Sequence, residues 1–305
     1  MLVWRINDED TGSGIRFRPD VQLPVRVRFS PEGDLLCAFG NPNRYHRTAE
    51  VRNGKGELVC EFLAPRDSFF PTGGVWSDRG FTVAAVCAER STLFTWTVAL
   101  DDAEPSFRHT FSRFDGLNSV VFARRSKRCV AYIADLHGLF EYDPSENGKT
   151  IAFRMSDSRY RVLQCGLLVQ SCDGRRLAAG AVVERFSPKS RSVAQPCERV
   201  FGAVAAWDTS TRKLTGILGR WSETPSTLAF AANRSPILAV GSYDGIIRVY
   251  EVASGTRLKA WKAHRTQVSS LVFVPSLFRC VSAGEDATVK LWDLAGAVPK
   301  RLVGE

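Results

Sequence analysis

Close together near the end of the chain stand His264, Ser282 and Asp286. These are the residue types of a hydrolase triad, in which an imidazole takes the proton of a serine hydroxyl and a carboxylate orients the imidazole. The surroundings do not continue that chemistry. Ser282 lies in Cys280-Val-Ser-Ala-Gly284, which is not the G-x-S-x-G turn that exposes a nucleophile. The chain holds neither a G-x-x-x-x-G-K-[ST] phosphate loop nor an H-E-x-x-H zinc helix. His46, His109 and His137 are isolated and read as surface or turn residues. Eight cysteines are scattered without a C-x-x-C pair, several inside apolar runs, the habit of small buried hydrophobes in a reducing compartment. A zinc site would need distant ligands to converge. The expectation is a chain with no catalytic residue, no metal, no cofactor and no small-molecule substrate.

The elements around the three residues are short and alternate with the two-residue period of strands. Thr266-Gln-Val-Ser-Ser-Leu-Val-Phe273 is followed by Arg279-Cys-Val-Ser-Ala-Gly284, the turn Glu285-Asp286-Ala287, and Thr288-Val-Lys-Leu-Trp292-Asp293. One repeat earlier the same parts recur: Thr227-Leu-Ala-Phe230, Ile237-Leu-Ala-Val-Gly241, the turn Tyr243-Asp244-Gly245, and Ile246-Ile-Arg-Val-Tyr250-Glu251. Gly255-Thr-Arg-Leu-Lys-Ala-Trp261-Lys-Ala-His264 then supplies a fourth strand ending in the histidine.

These two copies resemble WD repeats, with Trp292-Asp293 as the motif and Ala263-His264 where the family usually has Gly-His. The resemblance is strong over 225–302 and weaker upstream. Carried back, it places counterparts of Trp292 at Tyr250, Trp207, Tyr142, Trp96, Val51 and Trp4, separated from N to C by 47, 45, 46, 65, 43 and 42 residues. Most of these gaps match a repeat of ~40–45 residues. A second marker, the bulky residue closing the innermost strand, falls at Phe29, Trp76, Phe122, Val169, Phe230 and Phe273, and its distance to the first marker is 22, 20, 20, 38, 20 and 19 residues. The long repeat therefore carries roughly 18 extra residues, expected as an inserted loop at 181–203.

A four-stranded blade cannot bury both faces alone, so such repeats stack radially. The expected fold is all-β: a single WD40-type β-propeller over 1–305, with seven repeat positions, an incomplete first blade and six complete four-stranded blades. Leu2-Val-Trp4-Arg-Ile6 and Gly14-Ile-Arg-Phe17 read as third and fourth strands, and Lys300-Arg-Leu-Val303 as the fourth strand of the last repeat. The missing inner strands leave three explanations: a start upstream, a ring of six blades, or a half-blade filled by a partner. The resemblance also implies a hydrogen-bonded brace of His264, Ser282, Asp286 and Trp292, with Asp244 kept in the preceding repeat beside Val240 and Tyr250.

With 44% apolar and 24% charged residues the chain has the composition of a globular protein, and no apolar run is long enough to span a membrane. The N-terminus lacks a basic region followed by an apolar one, so the chain is expected to be intracellular, cytoplasmic or nuclear. A net charge of +9 favours anionic partners. On the propeller frame, loops between first and second strands carry Arg79, then Arg124, Arg125, Lys127 and Arg128, then Arg175 and Arg176, a candidate anion or RNA patch. The opposite loops carry the insertion with Lys189 and Arg191, and Tyr243, Arg265 and Glu285, a candidate protein-binding face. The function these features imply is a non-catalytic protein-interaction scaffold, the WD-repeat subunit of a larger complex. The alternative is an RNA-associated propeller in ribonucleoprotein or ribosome assembly.

Overall fold

The computed structural model describes the backbone of residues 2–4, 14–16, 22–29, 35–41, 47–53, 55, 57–63, 69–77, 80–87, 92–99, 106–107, 119–125, 128–135, 137–143, 149–186, 200–231, 236–274, 279–294 and 296. Side chains are described at 50–53, 55, 57–59, 61 and 119–121 and, from 130 on, at all of these but 149. Every regular element among the described residues is a strand, and none is a helix that could cross a membrane.

The chain divides into two compact units, residues 1–115 with 144–148, and residues 116–143 with 149–305. The first unit opens with an antiparallel hairpin of β1 (Leu2–Trp4) and β2 (Gly14–Arg16). Sheet A holds β3 (Gln22–Phe29), β4 (Leu35–Asn41), β5 (Arg47–Asn53) and β6 (Leu58–Leu63). Sheet B holds β7 (Phe69–Ser77), β8 (Gly80–Cys87), β9 (Thr92–Ala99) and β10 (Ser106–Phe107).

The second unit has four sheets. Sheet C is β11 (Ser119–Arg125), β12 (Arg128–Ala134), β13 (Leu139–Asp143) and β14 (Lys149–Ala152). Sheet D is β15 (Tyr160–Gln170), β16 (Arg176–Arg185), β17 (Val200–Asp208) and β18 (Leu214–Trp221). Sheet E is β19 (Thr227–Phe230), β20 (Ile237–Gly241), β21 (Ile246–Glu251) and β22 (Thr256–Lys262). Sheet F is β23 (Val268–Val274), β24 (Arg279–Gly284) and β25 (Val289–Asp293). In every sheet the strands pair antiparallel in sequence order, a plain meander. Sheet F shows three strands where four were expected, because Lys300–Val303 lies outside the described residues.

The register explains why the aromatic markers recur. In sheets C, E and F the two markers share one row across the strands: Phe122 with Ala131 and Tyr142, Phe230 with Leu238 and Tyr250, Phe273 with Cys280 and Trp292. Sheets A and B depart by one and two positions, and sheet D departs by one. There Trp207 pairs Leu177 and Leu177 pairs Gln170, so Val169 sits one row away. Irregularities at Val162/Gln164 and Gly166/Leu168 add residues to β15 ahead of Val169, so they lengthen the strand without moving this row.

Each buried strand alternates between two neighbours rather than between core and water. On β16, Leu177, Ala179, Ala181 and Val183 join a core with Tyr132, Leu139 and Phe153 of the sheet C repeat, while Ala178 joins a second core with Leu228, Leu238 and Tyr250 of sheet E. On β20, Leu238 and Val240 face sheet D while Ile237 and Ala239 pack with Val268, Phe273 and Cys280 of sheet F. Each large aliphatic side chain buried this way contributes roughly 1.5–3 kcal/mol, more than a typical hydrogen bond. Polar links tie C to D as well: Arg212 Nε and Nη2 each lie 3.2 Å from the Glu141 carboxylate, and Trp207 Nε1 donates to the Arg154 carbonyl at 2.9 Å.

The expected loop at 181–203 is strand at both ends. The β16–β17 ladder runs past Gly180↔Val204 to Glu184↔Val200, so the insertion lengthens a hairpin before it becomes a loop. Residues 187–199 lie outside the described residues.

Candidate functional site

The turn that follows β22 delivers His264 to the junction of sheets E and F. Two glycines make room for it. Gly245, at φ +72° in the β20–β21 turn, accepts the backbone N–H groups of Ala263 and His264 at 2.9 and 3.0 Å. A Cβ on Gly245 would collide with the His264 carbonyl, and one on Gly284 with its imidazole ring. The imidazole, 1% exposed, thus sits pinned between the two turns.

The donor inventory sets the direction of the hydrogen bonds. An indole N–H only donates and a carboxylate only accepts. Trp292 Nε1 donates to Ser282 Oγ at 2.8 Å, Ser282 Oγ lies 2.7 Å from His264 Nε2, and His264 Nδ1 lies 2.9 Å from Asp286 Oδ1. With Nδ1 carrying the proton toward Asp286, Nε2 accepts the serine hydroxyl, and the chain runs one way from indole to carboxylate. Asp286 also accepts the Thr288 hydroxyl at 2.7 Å and the Arg265 N–H at 2.9 Å. The Thr288 hydroxyl first, then the Arg265 N–H, hold its carboxyl well below the ordinary carboxylate range. The triad distances are therefore present, but Ser282 is fully buried and its oxygen is already engaged by an indole and an imidazole.

Sheet E handles the same position differently. Val240 occupies the place of Ser282, and Asp244 turns to its own strand pair. It accepts Ser242 Oγ at 2.7 Å, the Ile246 N–H at 3.0 Å and Arg248 Nη2 at 3.0 Å, while Arg248 Nη1 donates to Ser242 Oγ at 2.6 Å. Burial alone would raise the Asp244 pKa, but the Ser242 and Arg248 hydrogen bonds lower it on balance. Asp244 thus belongs to a Ser–Asp–Arg cluster separate from His264.

Three residues of the candidate protein-binding face stand at this end of sheets E and F. Tyr243 is 50% exposed, and Arg265 and Glu285 are exposed. Their turns are tied together: Lys262 Nζ reaches the Asp244 carbonyl at 2.5 Å, the Arg265 N–H reaches Asp286, and the Glu285 N–H reaches the Gln267 carbonyl at 3.0 Å. Lys189 and Arg191 lie outside the described residues.

The candidate anion patch is less uniform than its sequence. Arg79 and Lys127 lie outside the described residues, and of Arg124, Arg125 and Arg128 only the backbone is described, with Arg125 opposite Arg128 in the β11–β12 hairpin. Arg175 is exposed in the β15–β16 turn, but Arg176 lies in β16 with its guanidinium 3.7 Å from Asp173. A paired arginine is a weaker phosphate ligand than a free one, since the carboxylate must first be displaced.

Sequence reasoning missed Thr288, and it missed the far end of sheet D, where Leu163, Phe186 and Val200 are exposed large apolar residues. Among the described residues no group of three His, Cys, Asp or Glu side chains could hold a metal ion.

A family model described as WD domain, G-beta repeat matches residues 255–293, the span that carries His264, Ser282, Asp286 and Trp292. The chain is 27% identical over 96 residues to the WD repeat-containing protein 91 homolog of Dictyostelium discoideum, covering 32% of this chain and 12% of that protein. It is 29% identical over 102 residues to COMPASS component SWD3 of Saccharomyces cerevisiae, covering 31% of this chain and 32% of that protein. The matched span is thus under a third of either relative's length. Among solved structures, the computationally designed Ika8 protein matches 93% of this chain and 87% of its own at a TM-score of 0.56 and 16% identity, a likeness of fold alone. The meander sheets, the two-sided strands, the His264 junction and these matches identify a WD40 repeat at residues 255–293 within an all-β repeat protein of β-propeller type.

Proposed function

We propose that the chain is a non-catalytic protein-interaction scaffold, the WD-repeat subunit of a larger intracellular complex. In this reading residues 1–305 form one propeller of seven repeat positions, the first incomplete and the other six four-stranded. The observation that carries the function is the exposed trio Tyr243, Arg265 and Glu285 on turns cross-linked by the His264 network. Exposed aromatic and arginine side chains on a rigid scaffold are the residue types that dominate protein interfaces. The yeast relative is named as a component of COMPASS, so that protein is a part of an assembly. Affinity capture with mass spectrometry, comparing the full chain with a Tyr243→Ala/Arg265→Glu variant, tests this function. Loss of specific neighbours is expected; a neighbour set unchanged by the variant, or no stable neighbour at all, overturns it. Retention of RNA that falls steeply with salt and disappears in an Arg124→Glu/Arg125→Glu/Arg128→Glu variant would install the RNA-associated reading instead.

A further inference from the structure

A strand at the rim of a sheet bonds its neighbour along one side of its backbone and leaves the other side open. In the second unit the outer strands treat that open side differently. β14 is only four residues long, and β18 is broken by register shifts at Gly202/Val204 and Ala206/Trp207 and by Gly219 at φ +70°. β22 runs for seven residues, and its one shift lies between Arg257 and Lys259, so 259–262 form a regular edge.

The hydrogen bonding fixes which groups that edge displays. The Ala263 N–H donates to the Gly245 carbonyl at 2.9 Å, and Lys262 stands opposite Ile246. Bonded and unbonded pairs alternate in an antiparallel ladder, so Lys259 and Trp261 bond β21 while Ala260 and Lys262 turn their N–H and C=O groups away from it. None of these outward groups has a partner among the described residues. Two residues apart, they repeat at roughly 6.6 Å, the spacing of the matching groups on another extended chain.

The side chains along this edge carry one sign. Thr256-Arg-Leu-Lys-Ala-Trp-Lys262 holds three cations and no acid. Arg257, Lys259 and Lys262 are exposed and form no ion pair among the described residues. They stand opposite Tyr250, Val249 and Ile246, so no carboxylate faces them across the ladder. Lys259 rests over the Trp261 ring at 5.4 Å, and Lys262 donates to the carbonyls of Asp244 and Arg265; these uncharged partners leave both ammonium charges in place. Of the acids nearby, Glu251 is buried and accepts the Ser254 hydroxyl at 2.7 Å, and the Asp244 carboxylate is held by Arg248.

We propose that the outer edge of β22 takes up an acidic extended segment of a partner protein as a fifth strand of sheet E. The segment's backbone bonds Ala260 and Lys262, and its carboxylates meet Arg257, Lys259 and Lys262. This inference rests on the scaffold reading and goes beyond it, to a second surface and the chemistry of its partner. In strand addition main-chain hydrogen bonds give affinity and side chains give selection. A second copy is disfavoured, because β22 against β22 sets three cations against three. A nucleic acid is disfavoured because phosphate oxygens only accept, which leaves the outward carbonyls of Ala260 and Lys262 without donors.

The test uses the full chain and a short fluorescein-labelled peptide of valines and threonines with two adjacent glutamates at its centre, read by fluorescence anisotropy. Arg257→Glu/Lys259→Glu should weaken binding at least about tenfold, because attractive cross-strand pairs become repulsive. Ala260→Pro removes one outward N–H at a position where an edge tolerates proline, and should weaken binding about fivefold. The thermal transition should stay in place in both, since all three side chains are exposed. Arg257→Gln/Lys259→Gln should give an intermediate loss and serves if the reversal fails to fold. A lysine-for-glutamate peptide should not bind. The proposal is overturned if the glutamate peptide does not bind the unaltered chain, or if either the charge reversal or Ala260→Pro leaves binding unchanged. It is also overturned if the unaltered chain dimerises in sedimentation and Ala260→Pro makes it monomeric, or if single-stranded RNA displaces the peptide and binds more tightly. Neighbour capture separates the two readings. Neighbours lost on Tyr243→Ala/Arg265→Glu, with no peptide bound at β22, sink this inference alone; neighbours indifferent to that variant, with peptide bound at β22, sink the turn surface alone.

Discussion

Replacing Ser282 by alanine removes one oxygen and strands two partners. Trp292 Nε1 loses its acceptor, and His264 Nε2 loses the hydroxyl that bonds it at 2.7 Å in a fully buried position. Each buried polar group left without a partner costs about 1–3 kcal/mol, and the half-buried indole falls at the low end because water can reach it. A total of about 2–4 kcal/mol follows for Ser282→Ala. The loss should appear in urea unfolding followed by tryptophan fluorescence. It should also appear as faster amide hydrogen exchange in β24 and β25, with β16 and β17 unaffected. The one-way chain makes a sharper statement. Once Ser282 is alanine, the imidazole retains only its Asp286 and Thr288 contacts, so His264→Phe should cost less in that background than alone. A double-mutant cycle should give a coupling of about 1 kcal/mol or more. A cost for Ser282→Ala below about 0.5 kcal/mol, or strict additivity of the two substitutions, would refute the network reasoning.

Asp208, whose carboxyl accepts the Ser210 and Thr211 hydroxyls and N–H groups, is held down to about 2 by those bonds. Because its folded value lies below the unfolded one of ~3.9, its stabilisation is complete above that pH and is lost as pH falls toward 2. Asp208→Ala should therefore flatten stability against pH in that window, and an unchanged slope in acid-titrated melts would contradict it. Gly245→Ala combines a left-handed backbone with a collision against the His264 carbonyl and should cost about 2–4 kcal/mol in urea unfolding; Gly216→Ala, with open space around it, should stay within about 1 kcal/mol. Burial pushes the Cys165 thiol up to about 12 and the Cys280 thiol to about 11, whereas Cys172 is exposed. Iodoacetamide at mildly alkaline pH should label Cys172 and spare the other two until denaturant is added, read by peptide mass spectrometry.

The fold was legible wherever a side chain's size repeats with the blade. Tyr142, Trp207, Tyr250 and Trp292 all lie on third strands because a large residue there fills the gap between stacked sheets. Residue counting failed where length is ambiguous. A longer strand and a longer loop add the same number of residues, so 181–185 and 200–203 were expected as loop although they pair. The site was legible in its types and less so in its connections. Thr288 went unnoticed because a threonine after a turn follows no period, yet its hydroxyl is the strongest influence on Asp286. Asp244 occupies the same turn position as Asp286 and binds different partners, since Arg248, not a histidine, reaches it. The extra length of sheet D over sheet E could not be read at all from one repeat: it exists only as a difference between adjacent sheets.

The two-sided burial of β16 has a consequence for how such a strand finds its place. Along Leu177-Ala-Ala-Gly-Ala-Val-Val183 solvent offers no test of correct pairing, because residues of either parity end in a dry interior. A slip of one position, which in a half-exposed sheet would turn the greasy side outward, leaves polarity almost unchanged here. What differs is bulk: a slip one way would drive Leu177 into space shaped for Ala178, and a slip the other way Val182 into space shaped for Ala181. Register in this strand is thus written in volume, and its fidelity depends on the alanines staying small.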